Sequence, residues 1–341
     1  MGMGECLMCT AVSWKPGYHY FGRNLDLEYS YREAVTVIPR NYPFRFRMLP
    51  PMNSHYAIIG VATVEQDYPL YYDAVNEKGL CIAGLNFPGL ACYGKPLPEK
   101  SNVASFELIP WLLGQCETVE QAQELLDRTN ITDTAFSDAF LPTPLHWMIA
   151  DSKRSVTVEA MASGLHVKEN PVGILTNNPP FDFHLYNLRN HMQVSTAPAV
   201  NLFSETLDLE PYSNGMGGIG LPGDLSSASR FVRAAFVKLN SVSGPTEEEA
   251  VSQFFHILNA VAMPRGCVKM PDSSYEITLY SSCCNADQGI YYYTTYDNSR
   301  VCAVEMHRED LEGCDLISYP LLHKPVFYLQ NHSSRKEGNP T

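Results

Sequence analysis

The sequence predicts a layered α+β fold in which helices cover antiparallel sheets. Strand-like stretches, a pair of helices, more strands, a second pair of helices and further strands follow one another in groups. Strands therefore do not alternate one-for-one with helices, as they would in a doubly wound parallel sheet. The 341 residues are 45% hydrophobic and 18% charged, which is enough for a large buried core. Because no internal repeat or linker is evident before a polar tail at residues 331–341, we expect one domain over residues 9–330.

Strands are predicted where β-branched and aromatic residues run together or alternate with polar ones. The first two of these stretches read as a hairpin, and residues 297–299 (Asp-Asn-Ser) read as a turn between the last two. The stretches, in chain order, are MCTAVSW, YHYFGRN, AVTVIP, YAIIGVATV, SVTVEAM, YEITLYSSC, GIYYYTTYDN and VCAVEM.

Helices are predicted in two groups. The first is ASFELIPWLLGQC with TVEQAQELLDRT, where Thr118 and Gln121 have the spacing of a capping box. The second is SSASRFVRAAFVKLN with TEEEAVSQFFHILNAVAM, where Thr246 and Glu249 have the same spacing, and Pro264 is expected to stop the helix. Apolar residues at helical spacing predict a buried stripe on the last helix, made of Ala250, Phe254, Ile257 or Leu258, and Val261.

Charge and cysteine content limit the function classes. The formal net charge of −13 disfavours nucleic acid or an anionic membrane surface as the main partner, because both need a basic face. No apolar run is long enough to span a bilayer. A positively charged segment followed by an apolar stretch is lacking before the first strand, so no secretory signal is expected. Ten cysteines without a signal predict free thiols in a reducing cytoplasm rather than a disulfide framework.

The pair Cys6-Leu7-Met8-Cys9 has the spacing of a redox or metal-binding motif. A redox pair usually opens a helix, whereas Cys9 leads into a strand. A zinc site needs a second pair, which the adjacent Cys283 and Cys284 do not supply. A cytosolic thiol or metal protein using Cys6 and Cys9 stays as one alternative, and a purely structural role for the pair as another.

A further interpretation is that Cys9 becomes the first residue of the mature chain. An N-terminal cysteine has its own general base, because the α-amine, with a pKa of roughly 7.7–8.0, accepts a proton near neutral pH. This requires that residues 1–8 are a leader that is removed, or that translation starts at Met8 and an aminopeptidase removes that methionine.

Ordered motifs along the chain support this interpretation, because they resemble the choloylglycine hydrolase family of N-terminal nucleophile amide hydrolases. That family includes conjugated bile acid hydrolases and penicillin V acylases. The resemblance extends from Cys9 to about Ile317, and although each motif is weak, the ordered set is specific. The motifs are CTA at the nucleophile, FGRNLDLEY, NEKGL, GLNFP, LHWM, LTNNP, GLPGD, ASRF and GIYYY.

The resemblance implies a four-layer αββα sandwich with two antiparallel sheets, and it implies roles at the nucleophile. Cys9 would be the nucleophile, with its freed α-amine as the base. Arg23 and Asp26 would flank the thiol, the cation favouring thiolate and the carboxylate holding the amine. The alternative for these two residues is an ordinary ion pair at a strand end.

The resemblance also implies an oxyanion hole formed by the side chain of Asn177 and the backbone N–H of Asn86, with Arg230 completing the polar cluster. The alternatives are ordinary ones. Both asparagines lie near prolines, where asparagine commonly stabilises turns, and Arg230 could be a solvated residue on a helix face. His146 is interpreted as a satisfied core histidine rather than as a base.

For the substrate, the resemblance leaves bile salts, penicillin V and other N-acyl amides open. Asn86 within GLNFP resembles the bile acid branch, which favours glycine- or taurine-conjugated bile salts. Leu25, Tyr31, Phe136 and Phe140 are expected to line an apolar acyl pocket, the alternative being that both phenylalanines bury beneath their loop. The resemblance implies no metal and no organic cofactor, and it suggests a homotetramer.

Overall fold

The structure is a computed structural model, and it describes residues 8–331. Its strands are β1 (Met8–Trp14), β2 (Tyr20–Leu27), β3 (Ala34–Ile38), β4 (Ile58–Glu65), β5 (Tyr68–Asn76), β6 (Cys81–Asn86), β7 (Ser101–Ala104), β8 (Thr129–Thr132), β9 (Leu145–Ala150), β10 (Ser155–Met161), β11 (Gly164–Glu169), β12 (Ile174–Leu175), β13 (Ile277–Asn285), β14 (Ile290–Thr295), β15 (Cys302–Glu305) and β16 (Ile317–Pro320). Its α-helices are α1 (Leu108–Leu113), α2 (Val119–Leu126), α3 (Phe181–Asn187), α4 (Ser227–Asn240) and α5 (Glu247–Asn259).

Two antiparallel sheets form the centre of the fold. The first has the strand order β12-β1-β2-β13-β14-β15, and the second has the order β11-β10-β9-β6-β5-β4-β3-β16. Helices α4 and α5 pack on the first sheet, α1 packs on the second, and β1 faces β6 between the sheets. The resulting order of layers, helix–sheet–sheet–helix, confirms the predicted αββα sandwich.

Inner strands of the second sheet such as β4 and β6 are largely apolar because both of their faces are buried. In β6, Cys81 and Ala83 point into the cluster between the two sheets, whereas Ile82 points into the cluster beneath α1. Side chains alternate between the two faces of a strand, so a strand between two layers needs apolar residues at every position. This explains why the sequence shows continuous apolar runs here instead of strict alternation.

Helices α2, α4 and α5 begin where the sequence signals predicted. Helix α1 covers only residues 108–113 of the predicted stretch ASFELIPWLLGQC, and α3 was not predicted. Thr246 and Glu249 form the predicted capping box at the start of α5. At α2 the hydroxyl of Thr118 accepts the N–H of Gln121 as predicted, but the Gln121 amide oxygen accepts the N–H of Glu117, so the box is only half formed. Helix α5 ends at Asn259, before Pro264 is reached.

The hairpin of β1 and β2 packs closely against β13. A Cβ at Gly22 would lie 1.9 Å from the carbonyl oxygen of Ser282, so only glycine permits this approach. The same three strands place Met8 and Thr278 on opposite sides of Asp26. The start of β1 is thereby surrounded by backbone and side chains from distant parts of the chain. In the part of the chain that the structure describes, no helix is both long and apolar enough to cross a membrane.

Candidate active site

Cys9 is the second residue of β1 and is buried between the sheets. Its backbone N–H donates to the side-chain oxygen of Asn177 at 2.8 Å. Burial raises the pKa of the Cys9 thiol, and the positive charge of Arg23 is the largest influence in the opposite direction. The thiol therefore depends on its charged neighbours for any gain in thiolate character.

Arg23 and Asp26 lie on β2, beside the cysteine. Among the described residues no ion pair joins them, so the simple ion-pair alternative does not hold there. Arg23 instead donates from Nη1 to the carbonyl oxygens of Tyr72 at 2.9 Å and Gly84 at 2.6 Å. Asp26 accepts the hydroxyl of Thr278 at 2.6 Å through Oδ1, and Oδ2 has no hydrogen-bond partner within residues 8–331. Burial raises the pKa of Asp26 to about 6 despite two nearby arginines.

The side-chain amide of Asn177 is oriented by its partners at both ends. Oδ1 accepts from Cys9 N–H and, at 2.7 Å, from Nη2 of Arg230. Nδ2 donates to the carbonyl oxygen of Asn86 at 2.8 Å. The backbone N–H of Asn177 donates to the hydroxyl of Ser227 at 2.9 Å. The side chain of Asn177 thus contacts the backbone of Asn86, the other asparagine predicted for the oxyanion hole.

Arg230 is fully buried in the first turn of α4, which excludes the solvated alternative. Its Nη1 donates to the carbonyl oxygen of Cys9 at 2.5 Å and to the hydroxyl of Thr10 at 2.7 Å, and its Nε donates to Leu225 O at 3.1 Å. Together with its hydrogen bond to Asn177, these contacts make the Arg230 guanidinium connect β1 to the side-chain amide of Asn177. Arginine suits this role because its donors lie in one rigid plane.

Sequence reasoning missed two buried ionisable residues beside this cluster. The ring of His184 donates from Nε2 to the carbonyl oxygen of Asn177 at 2.9 Å, and burial lowers the pKa of His184 to about 4. Glu276 accepts the backbone N–H of Met8 through Oε1, and its Oε2 has no partner within the described residues. Burial raises the pKa of Glu276 to about 8. The available signal was a lone acid placed directly before the buried strand ITLYSSCCN.

The residues predicted for the acyl pocket divide into two groups. Leu25 is buried opposite Cys9 in the β1–β2 pairing. Tyr31 and Phe140 are half-buried with ring centroids 6.5 Å apart, and Phe140 lies 6.2 Å from Phe136. Phe136 itself packs edge-to-face on Phe106 at 5.3 Å within the cluster beneath α1. The structure thus brings the three aromatic residues together at the edge of that cluster, and their contact with an acyl group stays a prediction.

Of the opening cysteine pair, only Cys9 lies in the described part of the chain, since Cys6 falls outside residues 8–331. Within that range no group of three or more His, Cys, Asp or Glu side chains is placed to hold a metal ion.

The αββα sandwich and a strand-borne cysteine whose backbone nitrogen faces an amide oxygen define an amide hydrolase of the N-terminal nucleophile class. The profile of linear amide C–N hydrolases, choloylglycine hydrolase family, matches residues 9–319. The chain belongs to this family.

Similar proteins cover nearly the whole chain. The bile salt hydrolase/transferase of Lactiplantibacillus plantarum is 52% identical over 324 residues, covering 95% of this chain and 100% of that protein. The bile salt hydrolase/transferase of Clostridium perfringens is 38% identical, covering 92% and 96%. A crystal structure of a variant of the conjugated bile acid hydrolase from the same organism superposes with a TM-score of 0.88 at 36% identity, covering 95% and 100%.

Proposed function

We propose that this protein hydrolyses the amide bond between a bile acid and glycine or taurine in conjugated bile salts. The observation that carries the proposal is that the chain is 52% identical to a protein named bile salt hydrolase/transferase and covers the full length of that protein. The convergence of Cys9, Asn177 and Arg230 in one buried hydrogen-bonded cluster supports it chemically.

Cys9 acts with a free α-amine, after removal of residues 1–8 or after translation from Met8 and removal of that methionine. Three acidic or amide groups surround the place where this amine forms. Asn177 Oδ1 already accepts the Cys9 N–H. Asp26 has an unpartnered carboxylate oxygen among the described residues, and Glu276 holds the N–H of Met8. Such acceptors stabilise an ammonium group and fix its orientation next to the thiol.

In the proposed reaction the α-amine removes the thiol proton, and the Cys9 sulfur attacks the amide carbonyl carbon. Asn177 Nδ2 and the backbone N–H of Asn86 donate to the resulting oxyanion. The C–N bond then breaks, the α-ammonium gives its proton to the leaving nitrogen, and glycine or taurine departs. A thioester remains on Cys9. Water, deprotonated by the amine, attacks this thioester and releases the bile acid and the thiol.

Acyl transfer to a second amine is a proposed side activity. A thioester is an acyl donor, so an amino acid that replaces water as the nucleophile yields a new amide and the free thiol. The relatives from two organisms named as hydrolase/transferase support this extension.

The proposal is tested by amine release from glycocholate, taurocholate and penicillin V, together with the intact mass of the purified protein. Release from the two bile salts is the expected result. Release from penicillin V alone would move the substrate to the acylase branch. No release from a chain whose mass begins at Cys9 would contradict the proposed function, whereas inactivity with residues 1–8 retained would identify an unprocessed enzyme.

The Phe136→Ala variant is expected to raise KM for glycocholate about tenfold while the alkylation rate of the Cys9 thiol stays within twofold. The lost ring supports Phe140 and, through it, Tyr31, so the apolar wall would weaken without change at the nucleophile. Steady-state kinetics and iodoacetamide labelling measure the two quantities.

Phe46→Ala is the matched control for Phe136→Ala. Phe46 has a similar burial in the same cluster, at 8% exposed against 9% for Phe136, and it packs on Trp111 at 5.5 Å. Truncation of either ring should cost about 3–5 kcal/mol of stability. Only the Phe136 variant should change KM, and an unchanged KM would remove Phe136 from the site.

We also propose a homotetramer in the reducing cytoplasm. The cysteines within residues 8–331 are free thiols, which supports the compartment. The segment of residues 192–219 presents several large apolar side chains to solvent, which a single copy leaves uncovered. They include Met192, Val200, Leu202, Phe203 and Tyr212.

Light scattering is expected to give four times the 38.1 kDa mass of one chain. Phe203→Glu should lower this mass, because a charge would be buried at the contact. A monomeric wild-type protein would contradict the assembly and leave the proposed chemistry untouched.

A further inference from the structure

We infer that His146 is a positioning residue for the proposed reaction, because it joins the two chain segments that supply the oxyanion donors, residues 86–88 and residues 176–177. The inference rests on the proposed roles of Asn86 and Asn177. It assigns a function to a histidine that the sequence alone placed among ordinary core residues.

The imidazole of His146 contacts the neighbours of both donors. It lies on β9 and is fully buried. Its Nε2 is 2.9 Å from the carbonyl oxygen of Thr176, and it must donate there because a carbonyl only accepts. Its ring stacks on Phe87 with centroids 4.3 Å apart and an interplanar angle of 7°. Phe87 directly follows Asn86, and Thr176 directly precedes Asn177, so one ring fixes both segments.

The far side of the ring faces Glu159, which contacts the same segment of the chain that contains Asn177. Oε1 of Glu159 lies 3.5 Å from Nδ1 of His146 and accepts the N–H of Phe181 at 2.8 Å. His146 and Glu159 therefore hold the two ends of the turn of residues 176–181, which contains Asn177. Burial opposes the charge on Glu159, but its contact with His146, the N–H of Phe181 and the Lys168 ammonium at 3.3 Å lower its pKa overall.

Direct bonds join the same two segments next to the ring. Asn177 Nδ2 donates to Asn86 O at 2.8 Å, and Asn178 Nδ2 donates to Pro88 O at 2.7 Å. Two hydrogen bonds from side-chain amides and one imidazole thus connect the two segments, in addition to the backbone pairing of β6 with β9. Oxyanion donors act only when aimed at the developing charge within a few tenths of an ångström. Loss of the imidazole should therefore reduce transition-state stabilisation more than substrate binding.

His146→Phe tests this role, because phenylalanine keeps a ring for Phe87 and removes the donor to Thr176. For glycocholate we expect kcat to fall about 10- to 100-fold with KM changed by less than threefold. Alkylation of the Cys9 thiol by iodoacetamide should stay within twofold, since alkylation forms no oxyanion. His146→Gln, whose amide N–H can still donate to the carbonyl, should recover most of the lost kcat.

His55 provides the matched control. It is also buried and packs against Phe44 with ring centroids 4.8 Å apart and an interplanar angle of 51°. Its Nε2 lies 2.9 Å from the carbonyl oxygen of Tyr42, and none of these contacts involves the candidate site. His55→Phe should lower the melting temperature to a similar extent as His146→Phe while kcat is unchanged. A fall in kcat of equal size in both variants would reduce His146 to a general structural role.

Other outcomes also decide the matter. A His146→Phe variant with wild-type kcat, or with a loss expressed in KM or in thiol alkylation, overturns the inference. If that variant does not fold, Glu159→Gln takes its place, since glutamine can still accept the Phe181 N–H while the carboxylate facing the imidazole is lost. Its kcat should fall severalfold at constant KM, and an unchanged kcat counts against the positioning role of His146. A wild-type enzyme that does not hydrolyse glycocholate contradicts the proposed function instead.

Discussion

The Cys9→Ala variant should release no glycine from glycocholate, a loss on the order of 10⁶ in kcat, as in other enzymes that lose their nucleophile. Neither the α-amine nor the oxyanion donors can form the thioester without the sulfur. Amine detection over hours at high enzyme concentration, with circular dichroism to show an intact fold, measures this. Alanine removes only the sulfur from a buried position, so the sandwich should persist.

Cys116→Ala is the matched control for the nucleophile. Cys116 has the same 3% exposure as Cys9, but it lies in the cluster beneath α1. Its variant should keep wild-type kcat, while residual hydrolysis by Cys9→Ala would show that another group attacks the amide. Cys6→Ser tests the alternative that Cys6 and Cys9 form a redox or metal-binding pair. A hydrolase keeps full activity once processed, whereas such a pair loses its function.

The second large effect is expected at Asn177. Asn177→Ala should lower kcat about 10²- to 10³-fold with little change in KM, the usual effect of removing one oxyanion donor. Asn177→Asp refines the result, because aspartate keeps the oxygen that accepts from Cys9 and Arg230 and loses the nitrogen donor. Comparable losses in both variants would assign the effect to the donor. A loss in the alanine variant alone would assign it to the orientation of the amine.

Asn76→Ala controls for the burial of an asparagine. Asn76 is fully buried and donates to the carbonyl oxygens of Leu113 and Cys116, at 2.7 Å each, well away from Cys9. Its loss should destabilise the fold without lowering kcat. If Asn76→Ala lowered kcat as much as Asn177→Ala, the assignment of Asn177 to the oxyanion hole would be wrong.

Much of the fold was predictable because local rules dominate its elements. The capping box of Thr246 and Glu249 and the apolar stripe from Ala250 to Leu258 specify α5 within thirteen consecutive residues. The apolar run YAIIGVATV predicted a strand, and it forms β4 with both faces buried over most of its length. The end of α5 was less predictable, because the helix stops at Asn259, before Pro264 is reached.

The candidate site was only partly predictable. The cysteine, both arginines and both asparagines were found through short motifs whose joint order resembles a family. Glu276 and His184 belong to no such motif and became visible only through their contacts. His146 was predicted to be a buried histidine. Its contacts with Phe87 and Thr176 could not be predicted, because both residues are far from it in sequence.

By itself, the sequence determined the class of fold and the family and supplied Cys9 as the proposed nucleophile, because propensity, apolar period and short motifs can be read directly from the chain. Only the tertiary structure decided how the site is oriented. The Cys9–Asn177 bond spans 168 residues and the Arg230–Cys9 bond spans 221. Such contacts depend on strand register and on which faces of the two sheets meet, and a shift of one residue would turn each side chain to the opposite face.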